Sequence, residues 1–281
     1  MSNIETLVQD IYKCVDEGFD FTEEEAREFG HRLANHITYR LNEDKGEPKL
    51  RMSNLGTPDC KLWYQVNAPE VCEKLPPEAK IKFLFGDILE ELLLFLSRKA
   101  GHEVTGEQTE LEFEGVQGHR DAIIDGVQVD VKSASTFSFK KFNEGLRPED
   151  DNFGYIDQQN LYLNAAQDDP ELVVKDKFAF LVIDKTIGKI CLDIHSKSDV
   201  DYKEKVEHKK NVLSNNNPPP RAFEDVPDGK SGNRKLGLQC SYCPAKETCW
   251  PNLRVFAYSN GPRFLTHVAR EPKVVEADPE F

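Results

Sequence analysis

The chain has 281 residues, of which 38% are hydrophobic and 31% are charged, an ordinary balance for a protein with a substantial core. No apolar stretch is long enough to span a membrane and the N-terminus has no apolar signal segment, so the sequence predicts a cytoplasmic protein without a membrane partner. The net charge of −14 argues against nonspecific coating of nucleic acid, although it allows a local basic groove.

The chain opens with two predicted helices. Apolar residues from Ile4 to Val15 recur at helical spacing. Thr22 and Glu25 have the spacing of a capping box, which begins a second helix that extends to about Leu41. Residues 1–50 are therefore predicted to form an N-terminal helical segment.

The most apolar segment runs from Ile81 to Ser97 and predicts a buried helix. Its acidic residues Asp87, Glu90 and Glu91 are spaced so that they share one stripe of that helix. Because buried charges need partners, this stripe is expected to have a partner.

The middle of the chain predicts a β-hairpin. Asp125-Gly126 is the strongest short-range signal for a two-residue type I′ turn, and that turn places Asp121 opposite Asp130. Because side chains on a strand alternate between faces, Asp121, Asp130 and Lys132 share one face. The opposite face is apolar and is predicted to be the core side, with Ala122, Ile124, Val127, Val129 and Val131.

The two facing carboxylates are a candidate metal site. Like charges directly opposite one another on paired strands repel, so the pair is expected to hold something positive. Mg²⁺ suits it, because one or two carboxylates typically hold this ion together with waters and phosphate oxygens. Lys132 can orient or deprotonate a metal-bound water, or neutralise charge that develops on a phosphate.

A helix and two strands are predicted downstream. The helix runs from Tyr155 to Ala166, with Gln158 and Tyr162 on one face. The continuous apolar run from Lys177 to Asp184 is typical of a central strand, and Ile190 to Ile194 predicts a second strand after a turn.

Three cysteines, Cys240, Cys243 and Cys249, crowd into one short segment near the C-terminus. In a cytosolic chain such clustering favours a metal site over disulfides. A fourth ligand is not found locally, and four cysteines suit either an iron–sulfur cluster or Zn²⁺.

Three ordered motifs resemble those of the PD-(D/E)XK nucleases, and in particular their RecB-like branch. They are Gly118-x-x-Asp121, then Asp130-x-Lys132, then Gln158-x-x-x-Tyr162. The resemblance implies an α/β fold with a restriction-endonuclease-like core, a central mixed sheet flanked by helices. It places the nuclease core at residues 51–255 and a C-terminal extension with a disordered tail at residues 256–281.

The resemblance also implies roles for individual residues. The family has a metal-binding histidine in a Gly-x-x-x-His pattern, and Gly86-x-x-x-Glu90 departs from it by placing Glu90 there, with Glu91 as the alternative. Mg²⁺ or Mn²⁺ is then bound by Glu90, Asp121, Asp130 and the Val131 carbonyl, and Lys132 positions the attacking water. Gln158 and Tyr162 face the active site or the substrate strand.

Iron–sulfur members of this branch have one cysteine upstream of the core and a C-terminal C-x2-C-x5-C. Cys60, which precedes Trp63-Tyr64, fits the upstream place and implies a [4Fe–4S] cluster bound by Cys60, Cys240, Cys243 and Cys249. Zn²⁺ is the alternative cofactor, and Cys72 is the alternative fourth ligand.

The implied activity is metal-dependent hydrolysis of DNA from ends or in single strands, by an exonuclease of the compact kind found in tailed bacteriophages. Such an enzyme serves recombination, replication or DNA degradation, in the host cytoplasm if a phage encodes it. Two alternatives stay open. One is a flap-like, structure-specific endonuclease on the same fold, and the other is a catalytically silent nucleic-acid-binding module with a structural metal.

Overall fold

The computed structural model describes residues 3–42 and 47–277. The helices are α1 Leu7–Glu17, α2 Glu23–Asn42, α3 Asp59–Asn67, α4 Pro77–Lys99, α5 Thr136–Asn143, α6 Tyr155–Ala165, α7 Tyr202–Ser214, α8 Leu238–Ser241 and α9 Lys246–Cys249. The strands are β1 Val104–Thr105, β2 Glu110–Phe113, β3 Val116–His119, β4 Ala122–Ile124, β5 Val127–Ala134, β6 Val174–Asp184, β7 Ile190–Ser196, β8 Val226–Pro227, β9 Arg234–Lys235, β10 Arg254–Tyr258, β11 Gly261–His267 and β12 Glu276–Ala277.

The chain divides into two compact units. The first comprises Met1–Gly46, Leu50–Gly56 and Leu75–Val206, and the second comprises Glu47–Lys49, Thr57–Lys74 and Glu207–Phe281. These limits differ from the predicted boundaries at residues 50 and 255. The difference arises because the segment from Thr57 to Lys74, early in the chain, clusters with the C-terminal part.

The first unit contains a five-stranded mixed sheet in the order β1-β4-β5-β6-β7. Strands β5 and β6 run parallel, and the other neighbours are antiparallel. The predicted hairpin is confirmed, since Ile124 lies opposite Val127, and Asp125 and Gly126 have φ of 50° and 77°. Positive φ at both central residues is the type I′ conformation, whose twist matches that of the paired strands.

Helices cover both faces of this sheet. Apolar residues of α1 and α4 pack on the face with Val129 and Val131, and those of α5 and α6 pack on the face with Phe178 and Phe180. The sequence predicts only the Val129 face as core. The other face is buried as well, and it carries Asp130 at 1% exposure.

Two helix predictions differ in their accuracy. The capping box of α2 is confirmed, because the Thr22 N–H donates to Glu25 Oε2 at 2.9 Å and the Glu25 N–H donates to Thr22 Oγ1 at 3.2 Å. The prediction of a wholly buried α4 is wrong for its N-terminal half. Leu93 and Leu94 are in the core, whereas Phe83 and its neighbours Ile81 and Phe85 are exposed.

The second unit has its own five-stranded antiparallel sheet, in the order β12-β10-β11-β9-β8. Much of it lies in the predicted C-terminal extension, where β11 and β12 both pair with β10. The predicted disordered tail is therefore ordered as far as Ala277, and its last residues, 278–281, lie outside the described residues. Of the helices described, none is both long and apolar enough to cross a membrane.

Candidate active site

The hairpin brings Asp121, Asp130 and Lys132 together in the first unit. Asp121 immediately precedes β4, and its Oδ2 accepts a hydrogen bond from the Val131 N–H at 2.8 Å. Asp130 and Lys132 lie two residues apart on β5, and the Lys132 ammonium contacts the Asp130 carboxylate. The predicted grouping of two carboxylates and one ammonium is therefore present.

Burial dominates the electrostatics of these groups. It raises the pKa of Asp130 to about 7 even though the Lys132 ammonium lowers it, and it raises the pKa of Asp121 as well. For Lys132 burial acts to lower the pKa, but the Asp130 and Asp121 carboxylates outweigh it and hold the pKa above its usual range. Lys132 is thus protonated at ordinary pH, and the two carboxyl groups beside it have raised pKa values that favour their neutral forms.

Helix α4 contributes Glu90 to this cluster. Burial raises the pKa of Glu90 well above its usual range, and the negative charge of Asp121 raises it further. Glu91 points to different partners, because Arg32 Nε lies 3.8 Å and His36 Nε2 lies 3.7 Å from its carboxylate oxygens. Of the two neighbouring acids, Glu90 is the one whose pKa the charges of Asp121 and Lys132 affect, and its Oε1 accepts a 2.8 Å hydrogen bond from Gln108 Nε2.

The acidic residues of the α4 stripe have partners, and those of Asp87 and Glu91 are basic residues of α2. Besides Arg32 and His36, Arg40 makes a two-pronged contact with Asp87, with nitrogen–oxygen distances of 2.7 and 2.5 Å. Glu90, together with Arg32 and His36 of α2, lines a cleft of about 580 Å³. The cleft gives Glu90 access to solvent on the side of α2.

Helix α6 supplies a residue that the sequence motif did not indicate. Gln159 Nε2 donates to Asp130 Oδ1 at 2.8 Å, and Gln128 Nε2 donates to Gln159 Oε1 at 2.9 Å. The predicted Gln158 instead donates a long hydrogen bond, 3.5 Å, to the Tyr162 hydroxyl. Gln159 is the glutamine in contact with the Asp130 carboxylate, and no local sequence signal distinguishes it from the adjacent Gln158.

Tyr162, the other predicted residue of α6, is buried, and burial raises its pKa to about 12. The Asp121 and Asp130 charges raise the pKa further, which places the phenol beside the carboxylates. Gly118 explains how the ring is accommodated. A Cβ at Gly118 would lie 2.7 Å from Tyr162 Cε1 and 2.7 Å from Met52 Cβ, closer than such atoms approach.

The carboxylates fit a hard divalent cation by ligand type, since Mg²⁺ and Mn²⁺ prefer oxygen donors. Burial is the main cause of the raised pKa values of Glu90, Asp121 and Asp130, and a bound cation would favour their charged forms. In residues 3–42 and 47–277, however, no three His, Cys, Asp or Glu side chains are arranged to hold a metal ion. At Asp130 the reason is local, since the Lys132 ammonium lies against the carboxylate oxygen that a metal ion would need.

The four predicted cluster cysteines all lie in the second unit, and all are free thiols. Burial and then the charges of Cys243, Cys249 and Cys60 raise the pKa of Cys240 to about 11. The charge of Cys60 likewise raises the pKa of Cys243 and of Cys249, so the upstream cysteine is near the three C-terminal ones. The described side chains do not form a ready metal cage here either, although four thiols fit iron–sulfur and Zn²⁺ chemistry by donor type.

The alternative ligand Cys72 is placed differently. Burial raises the pKa of its thiol, and among the three C-terminal cysteines Cys243 alone adds to that effect. The cysteine segment is further held by Arg221, whose guanidinium donates to the Cys249 carbonyl at 3.0 and 2.7 Å and lies over the Trp250 ring. Of the two upstream cysteines, Cys60 is thus the one whose charge affects the pKa of all three C-terminal thiols.

No protein-family model and no curated protein matches this chain. Among solved structures, one described as "Crystal structure of SSO0001" is similar over 77% of this chain and 96% of its own, with 17% sequence identity and a TM-score of 0.44.

Proposed function

We propose that this protein is a metal-dependent DNA exonuclease of the PD-(D/E)XK type, in the RecB-like branch, with a restriction-endonuclease-like core. The observation that supports it most is the contact of the half-buried Lys132 ammonium with the Asp130 carboxylate, beside an Asp121 carboxylate that is bonded to the Val131 N–H and a Glu90 carboxyl whose pKa the charges of Asp121 and Lys132 affect. A structural ion pair needs one carboxylate for one lysine. Two further carboxyl groups with raised pKa values are typical of a site that binds a cation or a reacting group.

In this proposal Glu90, Asp121, Asp130 and the Val131 carbonyl hold Mg²⁺ or Mn²⁺. A bound ion would supply Lewis-acid chemistry there, polarising the phosphate and lowering the pKa of a water. The chain's own contribution is positioning and charge. Lys132 remains protonated, so it orients the attacking water and stabilises charge on the phosphate rather than acting as a base. Gln159 holds Asp130 in place through its amide.

The cysteine region supports a second part of the proposal. Cys60, Cys240, Cys243 and Cys249 bind a [4Fe–4S] cluster, with Zn²⁺ as the alternative occupant. The role proposed for the group is structural, since its ligands tie α3 to the C-terminal cysteine segment of the same unit.

The test of activity is a cleavage assay on end-labelled DNA with Mg²⁺ or Mn²⁺. Wild type is expected to shorten single strands or duplex ends progressively, and Lys132→Ala to lose that activity. Lys140→Ala is the matched control, because Lys140 is an exposed lysine of α5 paired only with Glu144 among the ion pairs described. Internal cuts at a flap would favour the endonuclease, and intact DNA that is nevertheless bound would favour the silent binding module.

A further inference from the structure

An exposed aromatic ring, Phe153, packs against Tyr155, whose ring lies near the proposed catalytic Lys132. Lys132 Nζ lies 5.1 Å from the centroid of the Tyr155 ring. The Phe153 ring follows, with its centroid 5.5 Å from that of Tyr155 and an angle of 31° between the ring planes. Phe153 is 55% exposed, so one side of this pair of rings is open to solvent beside the site. We call Phe153 and Tyr155 the aromatic step.

The aromatic step is held rigidly. Asp151 caps the start of α6, where its carboxylate accepts hydrogen bonds from the N–H groups of Phe153 at 3.3 Å, Gly154 at 2.9 Å and Ile156 at 2.8 Å. Tyr155 is packed against Phe142 and Phe180, with centroid distances of 6.3 and 6.4 Å. Phe153 therefore has one face packed on a fixed neighbouring ring and a capped backbone, and such preorganisation lowers the cost of binding a ligand.

A second exposed ring and a cation lie next to the same loop. Phe137 of α5 is 74% exposed, and Lys141 Nζ lies 5.6 Å from its centroid. Lys141 also donates to the Asp150 carbonyl at 3.1 Å, which joins α5 to the loop that carries Phe153. Exposed aromatic rings interleaved with lysines form the surface on which single-stranded nucleic acid binds, because bases stack on the rings and phosphates contact the cations.

We infer that Phe153, supported by Tyr155, stacks on an unpaired nucleobase of the DNA strand next to the phosphodiester bond that is cleaved. Phe137 and Lys141 continue the path for the following nucleotide. This inference rests on the proposed function and specifies its substrate class. A base within a duplex is already stacked on its neighbours, so the open ring of Phe153 favours a single strand or a frayed end over an intact duplex.

The experiment measures binding without cleavage, in the full-length chain with Asp121→Asn as the parent. The probe is a single-stranded oligonucleotide with 2-aminopurine as its terminal base, compared with the same sequence in a blunt duplex. Phe153→Ala and Phe153→Leu are added to the parent, and the Leu variant keeps apolar volume while it removes the ring. Phe19→Leu is the matched control, because Phe19 is also exposed and lies beside an aromatic ring, Phe95, and a lysine, Lys99.

Loss of stacking is expected to weaken single-strand binding by on the order of tenfold and to abolish quenching of the 2-aminopurine. Phe153→Trp should retain both, and Phe19→Leu should change neither. Unchanged affinity and quenching in Phe153→Ala and Phe153→Leu would overturn the inference while leaving wild-type cleavage intact. If the wild type cleaves no DNA and the parent binds none, the proposed function and the inference fail together.

Discussion

Gln159 donates a 2.8 Å hydrogen bond to Asp130, the most buried carboxylate of the site, and accepts one from Gln128. All three side chains are almost completely buried. Their hydrogen bonds therefore have no water to replace them, and each one matters for both the position of Asp130 and the stability of the first unit.

Replacing Gln159 by Ala is expected to lower the free energy of unfolding by about 1–3 kcal/mol, because it leaves the buried Asp130 Oδ1 without its amide donor and Gln128 Nε2 with only the Gln159 carbonyl as acceptor. It should also reduce DNA cleavage, since Asp130 is no longer held. Gln158→Ala is the control and should cost less stability, because the bond from Gln158 to Tyr162 is long. Chemical denaturation and the cleavage assay measure both effects, and equal losses in the two variants would contradict this assignment.

The raised pKa of Asp130 predicts a pH dependence of stability in chelator. Its folded-state pKa is about 7 and its ordinary value is 3.8, so between these pH values the folded protein binds the proton more tightly than the unfolded chain does. Stability from this group is therefore present at low pH and lost as pH rises from about 4 to 7, by up to about 1.4 kcal/mol per pH unit. Glu90 and Asp121 act with the same sign, because their pKa values are also raised.

Denaturant titrations at a series of pH values measure this slope. Asp130→Asn removes one titrating group, so its slope should be smaller than that of the wild type but not zero. Adding Mn²⁺ should stabilise the wild type more at pH 8 than at pH 5, since metal competes with the protons. Identical pH profiles for wild type and Asp130→Asn would contradict the raised pKa.

Gly118→Ala tests the close packing between β3 and the Tyr162 ring. The added methyl group would lie 2.7 Å from Tyr162 Cε1, and the buried ring has little room to move, so a loss of about 1–3 kcal/mol of stability is expected. Displacement of Tyr162 should also reduce cleavage. Gly30→Ala is the contrasting variant, because nothing lies within 4 Å of a Cβ at that position in α2 and alanine favours the helix by about 0.5–1 kcal/mol. Thermal melts of the two variants should therefore shift in opposite directions.

The cysteine group predicts a coloured protein. Material purified without oxygen should be brown and contain iron and acid-labile sulfide, and Cys60→Ser should lose both. Cys72→Ser is the control and should retain the iron and the sulfide. Among the three C-terminal cysteines, Cys243 alone contributes to the raised pKa of Cys72. Colourless protein with stoichiometric zinc would favour the zinc alternative, and an undisturbed cluster in Cys60→Ser would reassign the fourth ligand.

The sequence by itself determined the parts of this protein that depend on neighbours along the chain. The Asp125-Gly126 turn set the register of the hairpin, and that register brought Asp121 to the residues around Asp130. The capping box of α2 was equally readable. In each case the deciding interactions span only a few residues, so local spacing contains the information.

The tertiary structure alone decided the remaining choices. The choice between Glu90 and Glu91 depends on α2, because Arg32 and His36 of that helix lie beside Glu91. The contact of Gln159 with Asp130 depends on the rotation of α6 over β5. The second sheet was not predicted, because strands such as β9 and β12 have only two residues each and no local pattern marks them. Packing between segments distant in sequence fixes these features, and a motif's spacing does not encode which of two adjacent side chains faces the neighbouring element.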